Sequence, residues 1–251
     1  MTTLTDTFRT RLARTEDDLR RIQRLRYDVF VKELGADGPM VDHVQRLETD
    51  RFDPVVDHLM VEDLQRDQIV GVYRLLRGER ATETGGFYTE AEYDLMPLLS
   101  SKRRLLELGR SCLHRDYRGG AAMYHLWRAL AAYVLEHEIE IMFGTASFHG
   151  TDIAALAEPL SLLHHRHLAP EALRVRSVKF ENMDLLAPDA IDRKRAMLAI
   201  PPLIKSYLRL GGFVGEGAFV DHDFNTVDVC LVMDTARMNA AQTGFYTKGL
   251  S

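Results

Sequence analysis

Glu107 and Arg110 stand three residues apart in an otherwise apolar run, and Arg118-Gly119-Gly120 follows as a turn into an amphipathic segment opening at Ala121. A carboxylate delivered by a strand can take a proton from an attacking amine, a role worth about 10²–10⁴-fold in rate. Exposed backbone N–H groups at a helix start, the helix dipole and the Arg118 guanidinium all favour a phosphate. The stretch 104–130 therefore holds the parts for gripping an anionic ligand beside a proton-transferring group. Residues three apart on a regular strand point to opposite faces. For Glu107 and Arg110 to share a pocket the strand must bulge, and Gly109 between them tolerates a bulge. The plain alternatives are an edge ion pair and a glycine pair that merely opens a helix.

Other reactive residue types are weaker candidates. His164, His165 and His167 are spaced unlike a helical i, i+4 metal pair, and no Cys or acid stands close in their run, so no metal is expected. Cys112 has no evident activating partner and sits in an apolar run, as does Cys230; both are expected as buried free thiols. His58 and Asp63 match an HxxxxD spacing, but on a strand positions five apart face opposite ways, which rejects that pairing. No G-x-S-x-G elbow occurs.

The elements that must position these groups can be read in chain order. Residues 2–14 form an arginine-bearing arm or first strand. Thr15 then caps a helix, with Asp18 reaching back and Glu16, Asp17 and Asp18 at the positive end of the dipole. Leu19, Ile22, Leu25, Arg26, Val29 and Phe30 keep helical spacing up to Gly35–Pro39. Residues 36–57 lack periodicity and read as a long ordered loop rich in acids. His58–Asp63 and Ile69–Leu76 read as a hairpin, and a short helix is expected near Glu90–Leu99.

After the strand carrying Glu107, the helix from Gly120 lines one face with Ala122, Met123, Leu126, Trp127 and Leu130. Ile139–Thr145 is apolar throughout, the pattern of a strand buried on both faces and parallel to its predecessor. Two or three helices are expected over 150–200, one more after Pro201-Pro202, and a last hairpin from Gly217–Asn225 and Val227–Met233. The expected fold is α/β (α+β): one domain over 1–251, a mixed central sheet flanked by helices, with a helical insertion around 150–200.

With 251 residues, 46% apolar and 27% charged, the chain can bury a substantial core. Its net charge of −5 argues against bulk nucleic-acid binding, and no nucleic-acid partner is expected. No run is long and apolar enough to span a bilayer; Leu203–Val220 is broken by Lys205, Arg209 and Glu216. With no signal peptide at the start, a cytoplasmic location is expected. The basic run Lys102, Arg103, Arg104 would attract an acidic partner protein.

The strand, turn, helix and buried strand around Arg118 resemble the GNAT acyltransferase superfamily. Its turn usually reads Arg/Gln-x-x-Gly-x-Gly/Ala, where this chain has Arg118-Gly119-Gly120-Ala121-Ala122-Met123. A closer resemblance spans most of the chain: RYDVFVKELGA, DRFDPVVDHLMVED, IVGVYRLLR, ELGRSCLHRDYRGG, GTASFHGTD and RLGGFVGEGAFVDHDFNTVDV are similar to the bacterial ornithine N-acyltransferases of ornithine-lipid synthesis. That family is distantly related to acyl-homoserine-lactone synthases, whose Arg-x3-Phe, Asp-x2-Asp and Glu-x2-Arg spacings match Arg26 and Phe30, Asp50 and Asp53, and Glu107 and Arg110. Arg74 sits on the intervening strand where that family has an arginine.

The resemblance implies transfer of a 3-hydroxyacyl group from acyl carrier protein to the α-amine of ornithine, giving a lyso-ornithine lipid. It implies no permanently bound cofactor, the acyl group arriving on the carrier's phosphopantetheine. Arg26, Phe30, Asp50, Asp53 and Arg74 would surround the substrate, with Asp50 and Asp53 either meeting a cationic substrate or locking arginines. Glu107 and Arg110 would act in catalysis, with Tyr207 protonating the departing thiol. Arg118, Gly119, Gly120 and Ala121 would bind the phosphopantetheine. The product's acyl chain implies peripheral contact with the inner membrane, for which Arg9–Arg14 and Ile191–Leu198 are candidate stretches. The open alternatives are glutamine, lysine or glycine as acceptor, a lactone-forming synthase, and a non-catalytic acyl-sensing module.

Overall fold

A computed structural model of the chain describes residues 7–238, together with Gly244, Thr247 and Lys248. Phe8–Leu12 forms β1, and α1 (Glu16–Arg26) begins where the acids after Thr15 place it. The Thr15 hydroxyl accepts the Asp18 amide and the Asp18 carboxylate accepts the Thr15 amide, a reciprocal cap. Arg11 donates to the same carboxylate and holds it well below the usual range. Beyond Arg26 the helix widens into a π-helical stretch over Tyr27–Glu33, and Gly35, at φ 77°, stops it.

The acid-rich stretch 36–57 contains a small antiparallel hairpin, β2 (Val41–Asp42) and β3 (Leu47–Glu48). The larger hairpin is β4 (Asp57–Asp63) and β5 (Gln68–Arg77), bulged between Val61 and Glu62. The helix expected near Glu90–Leu99 does not form. In its place come a 3₁₀ turn over Tyr88–Ala91, β6 (Tyr93–Asp94) and the single-turn α2 (Met96–Leu99). Two local causes are visible. Pro97 has no N–H for a continuous ladder, and Tyr93 is pinned by its hydroxyl, which donates to the Gly217 and Asp228 carbonyls.

The chain continues through β7 (Leu105–Leu113), α3 (Ala121–Glu136) and β8 (Ile141–His149). As the sequence pattern requires, β7 and β8 are parallel, in register from Leu105↔Ile141 to Glu107↔Phe143. Then follow α4 (Ala157–His167), β9 (Arg176–Ser177), α5 (Arg193–Ala199), α6 (Pro202–Arg209), β10 (Phe213–Val214), β11 (Phe219–Asp221) and β12 (Thr226–Asp234).

The described residues divide into two compact units, 7–84 with 108–138 and Gly244, Thr247 and Lys248, and 85–107 with 139–238; β7 gives residues to both. In the first the strand order is β1-β4-β5-β7. Its core joins Ile22, Leu25 and Val29 of the first helix to Met60, Ile69, Val72 and Cys112 of the strands. In the second the order is β7-β8-β12-β10, with β11 also on β12 and every pair antiparallel except β7 with β8. The sheet is therefore mixed and flanked by helices.

Candidate active site

The first unit gathers most of the charged residues that the sequence singles out. Arg110 adopts a left-handed φ of 48° inside β7. The break in strand geometry expected at Gly109 thus falls one residue later. Gly109 serves another purpose: its missing side chain leaves room for the Arg74 guanidinium.

Around Arg110 lies an alternating chain of buried charges. Arg26 Nη1 is 2.6 Å from Asp53 Oδ1, and its Nε donates to Glu48. Glu48 also faces Arg110 Nε at 3.1 Å, and Arg110 Nη2 is 3.0 Å from Asp50 Oδ2. Asp50 in turn accepts from Arg74. Gln23 and the Asp50 amide complete Asp53 at 2.9 and 3.1 Å. The most exposed of these six charged side chains, Arg110, reaches only 7%.

Three guanidiniums and three carboxylates balance, which is what lets them be buried together. Burial would raise the Asp50 carboxyl, but Arg74 and Arg110 outweigh it and hold it below its ordinary value. Burial would lower Arg26, and Glu48 and Asp53 reverse that. Asp50 and Asp53 are thus both paired with arginines in this structure. The network ties α1, β3, the turn at 50–53, β5 and β7 into one frame.

Glu48 was not anticipated, although it joins Arg26 to Arg110. The available signal was the acid spacing Glu48-x-Asp50-x-x-Asp53 in a stretch without periodicity. Phe30 packs against the apolar core of the first unit.

Glu107 belongs to the second unit. It is 2% exposed, and its two carboxylate oxygens accept the amides of Tyr88 at 3.1 Å and Thr89 at 2.7 Å. The carboxylate thus anchors the 3₁₀ turn, and the amides fix its orientation. The Thr89 hydroxyl beside it is buried and without a hydrogen-bond partner. Tyr207 is buried on α6 at 4% exposure.

At the turn, Gly119 takes φ 75° and Gly120 caps α3, with open space above Gly119. Ala121 is the first residue of the helix. Arg118 is engaged elsewhere: its Nε donates to the Leu113 carbonyl and its two other nitrogens grip Glu33. Backbone N–H groups of the helix start, rather than this guanidinium, are what the turn offers an anion.

Arg9 and Arg11 of the first strand both pair with Glu62, so that basic stretch is partly neutralised. Burial pushes the Cys112 thiol up to about 12, which removes it as a nucleophile. The histidine run has an acid partner that its sequence does not reveal. Asp184 lies 3.1 Å from His165 Nε2, which also faces the Leu186 carbonyl at 3.0 Å. Hydrogen bonding of that nitrogen to a carbonyl makes it a proton donor, not a metal ligand. Among the described residues no helix is long and apolar enough to cross a membrane.

A strand–turn–helix–strand unit on a mixed sheet is the organisation of the GNAT acyltransferases, and residues 25–128 match the acetyltransferase (GNAT) domain family. Two solved structures share the fold. One is FeeM, an N-acyl amino acid synthase from uncultured soil microbes (TM-score 0.54, 9% identity, covering 96% of this chain and 99% of that one). The other is the coenzyme-A-dependent acyl-homoserine lactone synthase BjaI (TM-score 0.51, 16% identity, 94% and 82%). Sequence likeness goes further. The L-ornithine N(alpha)-acyltransferase of Rhodobacter capsulatus is 62% identical over 243 residues, 95% of this chain and 94% of its own length. The chain belongs to the L-ornithine N(alpha)-acyltransferase family.

Proposed function

We propose that this chain transfers a 3-hydroxyacyl group from the phosphopantetheine of acyl carrier protein to the α-amine of ornithine, giving a lyso-ornithine lipid. The observation that carries the acceptor is the 62% identity to an ornithine acyltransferase along nearly the full length of both chains. The donor rests on the turn. Ala121 and Met123 stand where coenzyme-A-binding GNAT proteins usually have glycine and then glycine or alanine, so a one-phosphate carrier arm suits it better than a pyrophosphate.

The reaction is direct aminolysis. Glu107, itself or through one water, takes a proton from the α-ammonium. The freed amine attacks the thioester carbonyl, forming the C–N bond while the C=O electrons move onto oxygen, where backbone N–H groups of the strand stabilise them. Collapse of that intermediate breaks the C–S bond as the nitrogen gives its second proton to solvent, and Tyr207 or solvent supplies the proton that leaves with the thiol, so one proton is released overall. The frame of Arg26, Glu48, Asp50, Asp53, Arg74 and Arg110 acts by rigidity.

The acyl product calls for a lipid surface. Of the two basic stretches, α5 is the better suited, because Leu198 is 72% exposed beside Arg193 and Lys194. The deciding experiment incubates the purified chain with 3-hydroxyacyl carrier protein and ornithine, with mass spectrometry of the product. Acyl-ornithine and free holo-carrier in equal amounts are expected. Transfer to glutamine, lysine or glycine in preference to ornithine overturns the acceptor, and equal turnover with acyl-coenzyme A overturns the donor.

A further inference from the structure

A second group of charged residues in the second unit takes no part in the steps above. Glu92, Asp221 and Asp228 each bring a ligand oxygen within 4.8 Å of the other two. Glu92 and Asp228 are 3% and 4% exposed, whereas Asp221 is half-buried and opens the cluster on one side. Asp221 commits its Oδ1 to the amides of Asp223 and Phe224, so its other oxygen is the one to consider.

A separate feature points into the same place. Thr226 is 7% exposed, and its hydroxyl is buried without a hydrogen-bond partner. It pairs directly with Asp221 across the β11–β12 ladder, and Asp228 lies two residues on along β12. Direct cross-strand neighbours and i, i+2 neighbours share a face of the sheet. Thr226 Oγ1 is thus aimed at the face that carries the carboxylates. A buried hydroxyl is expensive to leave unmatched, and close carboxylates repel one another; a cation bound among them relieves both.

The donor set defines the cation. Three carboxylates and a hydroxyl brought together here offer acceptors to the three N–H bonds of a primary ammonium. A hard divalent ion, which takes six or more oxygens, would need water to complete its shell here.

The backbone spacing between the Glu107 anchor and Glu92 is that of a short diamine. Glu107 holds the Thr89 amide, and Glu92 follows three residues later along a 3₁₀ turn. Such a turn advances about 2 Å per residue, roughly 6 Å in all. The α- and δ-nitrogens of ornithine, five bonds apart, span roughly the same distance when extended. Glu92 and Glu107 both act on the buried Cys230 thiol, which places the two carboxylates in one electrostatic neighbourhood. Tyr93 fixes the end of the turn through the Asp228 carbonyl.

We propose that Glu92, Asp221, Asp228 and Thr226 form the subsite that receives the side-chain ammonium of the amino-acid acceptor. The assignment rests on the reading of the chain as an ornithine acyltransferase and names the residues that set its specificity.

The test compares ornithine with norvaline, which keeps its carbon chain and lacks the δ-ammonium, as acceptors for the full chain with 3-hydroxyacyl carrier protein. The unaltered chain is expected to favour ornithine in kcat/KM by about 10²-fold or more. Glu92→Gln and Asp228→Asn should each raise KM for ornithine about tenfold or more, with a smaller change in kcat, and lower the ornithine-to-norvaline ratio. Asp221→Asn, at a half-exposed position that tolerates change, should lower the same ratio in a chain whose circular dichroism is unaltered. Transfer to ornithine with an unchanged ratio in all three variants overturns this proposal alone. No transfer to ornithine by the unaltered chain overturns the parent reading with it. Protection against heat by Mg²⁺ or Ca²⁺ that these substitutions abolish, without protection by ornithine, makes the cluster a metal site and overturns the assignment.

Discussion

The Arg74 guanidinium occupies the space that a side chain at Gly109 would need: a Cβ built there stands 2.9 Å from Nη2 and 3.1 Å from Nε. Gly109 is not among the residues at positive φ, so its backbone would accept alanine and the conflict is one of volume. Arg74 is 2% exposed and bonded to Asp50, which leaves it no easy retreat. Gly109→Ala is expected to destabilise the chain by about 1–3 kcal/mol. Urea denaturation reads this as a lower midpoint with unchanged slope. An unshifted midpoint would show that Arg74 moves aside freely.

Glu48 joins Arg26 to Arg110, and its loss leaves both guanidiniums short of a counter-charge in the interior. Removing one member of a buried ion-pair set typically costs about 3–5 kcal/mol. Glu48→Ala is expected to fall in that range, against about 1 kcal/mol or less for Glu33→Ala, whose partner Arg118 is 42% exposed. Equal losses in the two variants, measured in the same denaturant series, would refute a special weight for the buried network.

Periodicity and cap residues made most of this fold legible. Thr15 and Asp18, the β4–β5 hairpin, the apolar β8 and the helix after Gly120 all follow from local spacing. The segment after Tyr88 escaped because its conformation is set at a distance: Glu107 takes the Tyr88 and Thr89 amides, and Tyr93 reaches carbonyls more than a hundred residues away. At the site, residue types were legible and roles were not. Arg26, Asp50, Asp53, Arg74 and Arg110 converge, but charge balance turns them toward each other. Glu48 and the Glu92–Asp221–Asp228 group depend on strand register, which no single segment encodes.

Acid should unfold the chain in two stages. His58 is buried beside the Asp53 carbonyl, and burial lowers its affinity for a proton below the ordinary value. The unfolded chain takes up that proton first, so stability present above about pH 6.5 declines as pH falls below it. Asp50 and Glu62 are held low by arginines that outweigh burial, and Asp18 by its Arg11 bond. Their contribution is complete above the unfolded carboxylate values, about pH 4, and is lost as pH falls from there through the folded ones. Unfolding free energy measured from pH 8 to 3 should show a shallow decline starting near 6.5 and a steep one below about 4. His58→Gln should remove the upper limb and keep the lower. An upper limb that survives the substitution would assign it to another group.

Glu107 has two separable duties, and its amide variant can tell them apart. Glutamine keeps one acceptor oxygen but turns its NH₂ toward one of the two backbone donors at Tyr88 and Thr89. That mismatch should cost about 1–3 kcal/mol of stability. Loss of the proton acceptor should lower turnover by about 10²-fold or more beyond any effect on folding, measured at a temperature where the variant is fully folded. Glu107→Asp retracts the carboxylate by one methylene without removing it, and should keep more activity than Glu107→Gln at comparable stability. If Glu107→Gln loses stability yet turns over at close to the normal rate, Glu107 is an anchor for the Tyr88–Ala91 turn, and the proton of the attacking amine leaves by another group.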